Sequence, residues 1–143
     1  MKKKILSGIG ITFLGLVALL WAASAFMLRF ALSPVNEGKD LEGSWEYMFE
    51  NYPELEAWKD SLTQAEALKD TFIYAPDGAR LHAYYVAAPS PTSKTAVIVH
   101  GYTDNAIRMM MIGYLYNHNL GFNILLPDLR YSGLSEGNAF QMG

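Results

Sequence analysis

The chain has 143 residues, a formal net charge of −3 and a hydrophobic share of 51%, which together allow one domain with a core of its own. The lack of cysteine excludes disulfides, thiolate zinc sites and a cysteine nucleophile, and the three histidines, His82, His100 and His118, lack metal-ligand spacing. The charge balance, with no basic stripe beyond the first residues, argues against a nucleic-acid surface.

The N-terminus joins a short basic segment to a long apolar run. Residues 1–4 include three lysines, and residues 5–28 carry no charge. At 1.5 Å per residue such a run spans a bilayer core of about 30 Å, and the positive-inside rule keeps the lysines in the cytoplasm. A signal peptide cleaved near residues 23–25, Ala-Ser-Ala, is the alternative. We expect a membrane anchor at 5–28 and a linker at 29–43.

Two short helices are predicted after the linker. The first covers residues 44–51, and the second opens at Pro53 and runs to about residue 67. Their apolar residues recur at helical spacing: Trp45, Met48, Phe49, Tyr52, Leu55, Trp58, Leu62 and Ala65. We interpret this stripe as packing against the domain, and contact with a ligand or with the membrane surface is the alternative.

Two strands are predicted at 71–75 and 80–87, on either side of the turn sequence Pro76-Asp77-Gly78. His82 falls within the second strand, beside aromatic residues. We therefore expect a packed or surface histidine there and no catalytic role for it.

Residues 95–104, TAVIVHGYTD, are the most informative stretch of the chain. Residues 96–99 are continuously apolar and mostly β-branched, which predicts a strand covered on both faces of a parallel sheet. Gly101 permits a sharp turn or a close approach to a ligand, and Asp104 is expected to cap a helix. A strand, a glycine turn and a helix start are the parts that hold a developing negative charge on backbone N–H groups.

The helix after this turn is predicted over residues 106–117. Apolar and aromatic residues recur there at helical spacing, and Gly121 suits the helix stop. We interpret the methionines as core filler and His118 as a residue that interacts with the helix dipole.

A second apolar strand covers residues 122–128 and leads into LRYSGLSEG at 129–137. Taken together, residues 71–137 resemble the front half of an α/β-hydrolase, and most resemble the membrane-anchored bacterial serine hydrolases of that superfamily. The resemblance implies an α/β fold class. It implies an incomplete α/β-hydrolase fold in residues 44–143, with the first strands and helix A of the central sheet, preceded by an N-terminal transmembrane helix.

The resemblance also implies roles for individual residues. In that family the residue after His-Gly supplies one N–H of the oxyanion hole, which here is the backbone of Tyr102, and His100 and Gly101 shape the turn. Four residues would order the loop near the site: Asp128, Arg130, Gly133 and Ser135. Residues 131–132, Tyr-Ser, stand where many relatives have Gly-His.

Residues 133–137 match G-x-S-x-G, the pattern of a nucleophile elbow. We interpret Ser135 as a loop residue, because a loop separates it from the strand and no histidine follows it. The nucleophile, acid and histidine are then expected beyond Gly143. The resemblance thus implies the N-terminal portion of an extracytoplasmic hydrolase for small-molecule or peptide substrates with ester, amide or peptide bonds. No metal or organic cofactor is implied, and this chain alone is expected to be inactive.

Two other functions stay open. A small anchored, non-enzymatic protein would bind a partner strand along the sheet edge, because strand 95–99 has no neighbour on one side without a further strand. A lipid-binding module would use the aromatic residues of 45–58. The same open apolar edge predicts a marginally stable product that self-associates.

Overall fold

A computed structural model describes residues 2–32 and 37–140 of the chain. It consists of two compact units, Met1–Ser33 and Pro34–Gly143.

The first unit is one helix, α1, which covers Lys2–Leu32. Within it, the 25 residues Gly8–Leu32 have a mean hydropathy of 2.2 in their most apolar window. This stretch is long and apolar enough to cross a membrane, and an N-terminal signal sequence has the same properties. The helix extends beyond the predicted run of 5–28 at both ends.

The second unit is a mixed α/β domain. Its helices are α2 (Leu41–Asn51), α3 (Glu54–Gln64) and α4 (Met110–Tyr114), and its strands are β1 (Leu68–Tyr74), β2 (Arg80–Val86), β3 (Thr95–Val97) and β4 (Asn123–Pro127). Short 3-10 turns cover Glu37–Lys39 and Ala106–Met109, and a π-helical turn covers Leu115–Asn119. Each predicted helix and strand is present, although α2 and β1 each begin three residues earlier than predicted and β3 is shorter.

The four strands form one sheet in the order β1-β2-β4-β3. β2 pairs antiparallel with both β1 and β4, whereas β3 and β4 run parallel, joined by the segment that contains α4. The register places Val86 opposite Ile124 and places Ala96 opposite Ile124 on the other side. These residues therefore share one face of the sheet.

The hydrophobic core lies between that face and the helices. Its buried members are Met48, Leu55, Trp58, Leu62, Val86, Ile98, Ala106, Ile107, Met110, Ile124 and Leu126. The predicted packing of the aromatic stripe is confirmed, because Trp58 is buried and Trp45, Phe49 and Tyr52 pack against this core. Gly113 brings α4 close to the sheet, since a Cβ there would lie 2.7 Å from Cδ1 of Ile124.

The opposite face of the sheet is open, so the prediction of a strand covered on both faces is wrong. Val97 is 60% exposed, Val99 52% and Ile73 66%. Among the described residues, β3 is an edge strand bonded only to β4, and the helices that follow and precede it pack on the other face. The open face contains an apolar concavity of about 310 Å³, whose lining includes Leu81 and Leu125.

Candidate functional site

The two sequence motifs meet at one edge of the sheet. β3 and β4 are parallel neighbours, so the segments that follow them leave the sheet at the same end. We call residues 100–104 the glycine turn and residues 129–137 the β4 loop. The backbone N–H of Leu129 donates to Nε2 of His100 at 2.9 Å, and the N–H of Ala106 donates to Oδ1 of Asp128 at 2.8 Å. These bonds hold the two segments together.

His100 fixes the shape of the glycine turn. It is only 4% exposed, and Nε2 accepts a hydrogen bond from Leu129. Nδ1 therefore carries the proton and donates to the carbonyl oxygen of Gly101 at 2.7 Å. That carbonyl and the N–H of Tyr102 belong to one trans peptide and point in opposite directions, so the bond also sets the direction of the Tyr102 N–H.

The turn places its left-handed residue at an unexpected position. Thr103 has φ of 63°, a conformation that a β-branched residue rarely adopts, whereas Gly101 is not left-handed. No described atom lies within 4 Å of a Cβ built on Gly101. Neither backbone conformation nor packing therefore requires glycine at 101. Tyr102 is 48% exposed, and its ring makes an edge contact with Phe140, with centroids 4.9 Å apart.

The helix after the turn is capped by Asn105, so the prediction of Asp104 as its cap is wrong. Oδ1 of Asn105 accepts from the N–H groups of Ile107 at 3.0 Å and Arg108 at 3.3 Å. The capping side chain must also donate a hydrogen bond to Ser44. The Ser44 hydroxyl already uses its own proton to donate to a backbone carbonyl, so it accepts from Nδ2 of Asn105 at 2.8 Å. An aspartate has no N–H to supply that bond.

Asp128, which lies between β4 and the β4 loop, is the residue around which that loop folds. It is 3% exposed, and its carboxylate accepts from the N–H groups of Ala106 at 2.8 Å and Leu134 at 3.0 Å. Gly133 has φ of 48°, and a Cβ on it would collide with the Asp128 carboxylate. The loop can therefore close around Asp128 only with glycine at this position.

His82 is the principal residue whose environment the sequence did not indicate. Its side chain is fully buried, with Nδ1 2.6 Å from Oδ2 of Asp128 and Nε2 2.9 Å from Oδ1 of Asp70. Burial opposes its charge, but the hydrogen bonds to Asp128 and Asp70 outweigh burial and raise the pKa of His82. The contact with Asp70 could have been predicted from the sequence. In a hairpin that turns at residues 76–78, Asp70 and His82 lie on the same face as diagonal neighbours.

The remaining loop residues have separate partners. Ser135 is 1% exposed; its hydroxyl donates to the Asp128 carbonyl at 2.7 Å and accepts from the backbone N–H of His82 at 2.8 Å. The Arg130 guanidinium binds both carboxylate oxygens of Asp77, at 2.9 and 3.1 Å, and this contact lowers the pKa of Asp77. Arg130 thus ties the β4 loop to the turn between β1 and β2.

A short segment before α2 contacts the same loop. The carbonyl of Gly38 accepts from the N–H of Gly133 at 2.6 Å, and Nζ of Lys39 donates to the Ser135 carbonyl at 2.8 Å. The Lys39 ammonium also lies 5.6 Å from the ring centroid of Tyr131, and burial lowers its pKa. Tyr131 has φ of 70°, which lies in the left-handed region that favours glycine.

The described residues hold no pair of serine and histidine arranged for nucleophilic attack. Ser135 is bonded to backbone groups, His82 lies between two carboxylates, and both ring nitrogens of His100 are bonded within the turn or to the residue after Asp128. His118 lies on the surface, 3.0 Å from the side chain of Asn119. What the site offers chemically is a backbone turn at the end of a strand, held in one orientation.

Comparisons with known proteins give structural matches over part of the chain and no sequence match. No protein-family model matches the chain, and no curated protein sequence is similar to it. Among solved structures, an esterase of Pyrococcus furiosus, Pf2001, matches in one crystal form with a TM-score of 0.42 and 29% identity, over 50% of this chain and 28% of the esterase. Two further crystal forms match with TM-scores of 0.41 and 30% identity, over 49% of this chain and 28% or 27% of the esterase. The chain thus spans little more than a quarter of that esterase.

Proposed function

We propose that this chain is the N-terminal part of a membrane-anchored serine hydrolase of the α/β-hydrolase class, which cleaves ester, amide or peptide bonds by acyl transfer. The observation that carries the proposal is the joining of the glycine turn to the β4 loop. The Leu129–His100 and Ala106–Asp128 bonds hold the two motifs of the resemblance together at the same end of neighbouring parallel strands.

The proposed role of the turn is to bind the oxyanion of the tetrahedral intermediate. Tyr102 would donate through its backbone N–H, whose direction is set by the His100–Gly101 bond. A donor that is oriented before the reaction stabilises the transition state by about 3 kcal/mol. The open space around Gly101 supports this role, because it lets a ligand approach the backbone of the turn.

The nucleophile, acid and base of the proposed hydrolase are supplied by polypeptide outside this chain. The buried, doubly bonded hydroxyl of Ser135 supports a structural role for that residue. A serine hydroxyl without a base to remove its proton is a poor nucleophile near neutral pH. The chain alone is therefore inactive in this proposal.

The inactivity is tested with the full chain purified in detergent and a small aryl ester. We expect hydrolysis no faster than the uncatalysed rate, and the same rate for Ser135→Ala. Hydrolysis by the chain that disappears in Ser135→Ala would contradict the proposed role of Ser135 and would move the active site into this chain.

The oxyanion role is tested in the longer protein. Sequencing the coding DNA past the codon for Gly143 would reveal an open frame with a strand, a G-x-S-x-G elbow, an acid and a histidine. In its product, Tyr102→Pro removes the N–H and is expected to lower kcat by about 100- to 1000-fold, whereas Tyr102→Phe keeps the N–H and most activity. A stop codon directly after Gly143, or equal loss of kcat in both variants, would argue against the proposal.

We place the α/β domain on the extracytoplasmic side, anchored by α1. The support is the apolar length of Gly8–Leu32 and the lysines that precede it. Because the chain has no cysteine, Glu46→Cys gives a single labelling site. A membrane-impermeant maleimide should label Glu46→Cys in intact cells and should not label Lys3→Cys. The mass of the product distinguishes an anchor from a cleaved signal peptide.

A second candidate is a non-enzymatic anchored protein that binds a partner strand. The observation that favours it is the edge position of β3, where Val97 and Val99 are more than half exposed. An extended apolar peptide would add to this edge by backbone hydrogen bonds. A genuine stop codon after Gly143, together with peptide binding that Val97→Pro abolishes, would favour this function over the hydrolase.

A further inference from the structure

The proposed hydrolysis leaves one buried ionisable group without a role. The imidazole of His82 is completely enclosed and lies between two carboxylates, Asp128 and Asp70. The Asp128 side chain is 1% exposed, whereas the Asp70 side chain is 58% exposed and reaches solvent. The three groups form a line from the surface of β1 to the interior of the β4 loop.

At the buried end of this line, Asp128 contacts backbone groups next to the glycine turn and in the β4 loop. The Asp128 carboxylate accepts from the N–H of Ala106, directly after the glycine turn and its Asn105 cap, and from the N–H of Leu134 in the β4 loop. The Ser135 hydroxyl makes a second bridge, because it accepts from the His82 N–H and donates to the Asp128 carbonyl. The position of Asp128 therefore determines where the glycine turn and the β4 loop lie relative to each other.

With both carboxylates ionised, the geometry is satisfied only by the protonated imidazole. Each ring nitrogen of His82 faces a carboxylate oxygen, at 2.6 Å and 2.9 Å. A neutral imidazole has one N–H, so either tautomer would direct a lone pair at a carboxylate. It would also remove the one positive charge in direct contact with the buried Asp128 carboxylate, which is unfavourable.

We propose that His82 is a positioning residue, held as an imidazolium, which fixes Asp128 and through it the glycine turn and the β4 loop. Its deprotonation at high pH then releases both segments together. The proposal is a statement about this chain's own conformation and does not depend on hydrolase activity.

The charged and titratable groups around His82 come from several elements. Asp70 of β1 and Asp128 after β4 face it directly, and the ring centroid of Tyr84, on the same strand as His82, lies 4.6 Å from the imidazole centroid. On the loop side, Lys39 interacts electrostatically with Asp128 and Glu136. Burial, with Asp70 and Asp128, raises the pKa of Tyr84 to about 12.

The sign of the pH effect follows from the direction of the shift. The folded state raises the pKa of His82 above its ordinary value. The stabilisation by His82 is therefore fully present below the ordinary histidine pKa and is lost as pH rises through the raised, folded pKa. Lys39, whose pKa is lowered by burial, also titrates at high pH, so a probe specific for His82 is required.

The test is an NMR titration of the full chain in detergent micelles with uniform ¹⁵N labelling. At pH 7.5 we expect protons on both ring nitrogens of His82. The amide signals of Ala106 and Leu134 should shift with the midpoint of the His82 ring. A neutral His82 ring at pH 7.5, or amide shifts that do not follow His82, would overturn the proposal.

Variants provide a second, independent measurement. His82→Gln should reduce the step in Tm between neutral and high pH to the part that Lys39 contributes, and His118→Gln, the matched control, should keep the full step. Should His82→Gln fail to fold, Asp70→Asn decides the question, because it removes one facing charge at a partly exposed position. We expect Asp70→Asn to lower the His82 midpoint by about one pH unit. An unchanged midpoint in Asp70→Asn, or an unchanged Tm step in folded His82→Gln, would contradict the proposal.

Discussion

Replacing Asp128 by asparagine is the most direct probe of the contact between the two motifs. The two side chains have nearly the same shape, so the change removes charge and one acceptor without creating a cavity. The oxygen that remains in the substituted side chain can still accept from the N–H of Ala106. The new amide group, however, faces two donors of the native structure, the N–H of Leu134 and Nδ1 of His82.

The expected loss of stability follows from these two contacts. His82 can respond by losing a proton and accepting from the new amide, so a charge-assisted bond, worth about 1.5–3 kcal/mol, becomes a neutral one of about 1 kcal/mol. The Leu134 N–H loses its acceptor at a cost of about 1–3 kcal/mol, towards the lower value because this position is partly exposed. We expect Asp128→Asn to lower the free energy of unfolding by about 2–4 kcal/mol, a large share of the roughly 5–15 kcal/mol of a typical domain.

The measurement is urea-induced unfolding of the full chain in detergent, followed by tryptophan fluorescence, to which buried Trp58 contributes. Asp70→Asn is the control, since Asp70 contacts the same imidazole from a side chain that is 58% exposed and should cost only about 0–1 kcal/mol. A loss below about 0.5 kcal/mol in Asp128→Asn, or equal losses in both variants, would refute the reasoning that the buried carboxylate organises the loop.

Three further predictions use the same unfolding assay or sedimentation. Gly133→Ala should cost about 1–3 kcal/mol more than Gly78→Ala, because both positions are left-handed but only at Gly133 does the Cβ collide with the Asp128 carboxylate; equal costs would contradict this. Ile124→Ala should cost about 2–5 kcal/mol, since this side chain is fully buried beneath α4, and a loss under about 1 kcal/mol would place it outside the core. Val97→Lys should reduce self-association in sedimentation velocity and change the free energy of unfolding by at most about 0.5 kcal/mol, and undiminished association would show that the β3 edge is not responsible.

Local periodicity and turn residues predicted most elements of the fold. The i, i+3, i+7 spacing of Leu55, Trp58 and Leu62 needs no knowledge of the partner surface, because only one helical face can bury all three. The Pro76-Asp77-Gly78 turn likewise fixed the β1–β2 hairpin. Gly121, with φ of 69°, follows the π-helical turn where a helix stop was predicted.

The errors arose where a residue's environment depends on segments distant in sequence. Residues 96–99 are as apolar as a doubly covered strand, but whether a second layer covers them depends on helices elsewhere, and here Val97 and Val99 stay exposed. Asp104 and Asn105 are both good helix caps, and the contact with Ser44 of α2 favours the amide. His82 is packed, one of the two predicted alternatives, but its contact with Asp128 was not predicted because Asp128 lies 46 positions away in the chain.

The sequence alone determined the apolar N-terminal helix, the alternation of helices and strands, and the two motifs around His100 and Asp128. These features depend on residues within a few positions of one another, where backbone preference and periodicity suffice. Only the tertiary structure decided that His82 lies between Asp70 and Asp128, that Asn105 caps the helix, and that one face of the sheet is open. Those outcomes depend on the strand order β1-β2-β4-β3, which brings distant side chains within hydrogen-bonding distance and cannot be read from local spacing.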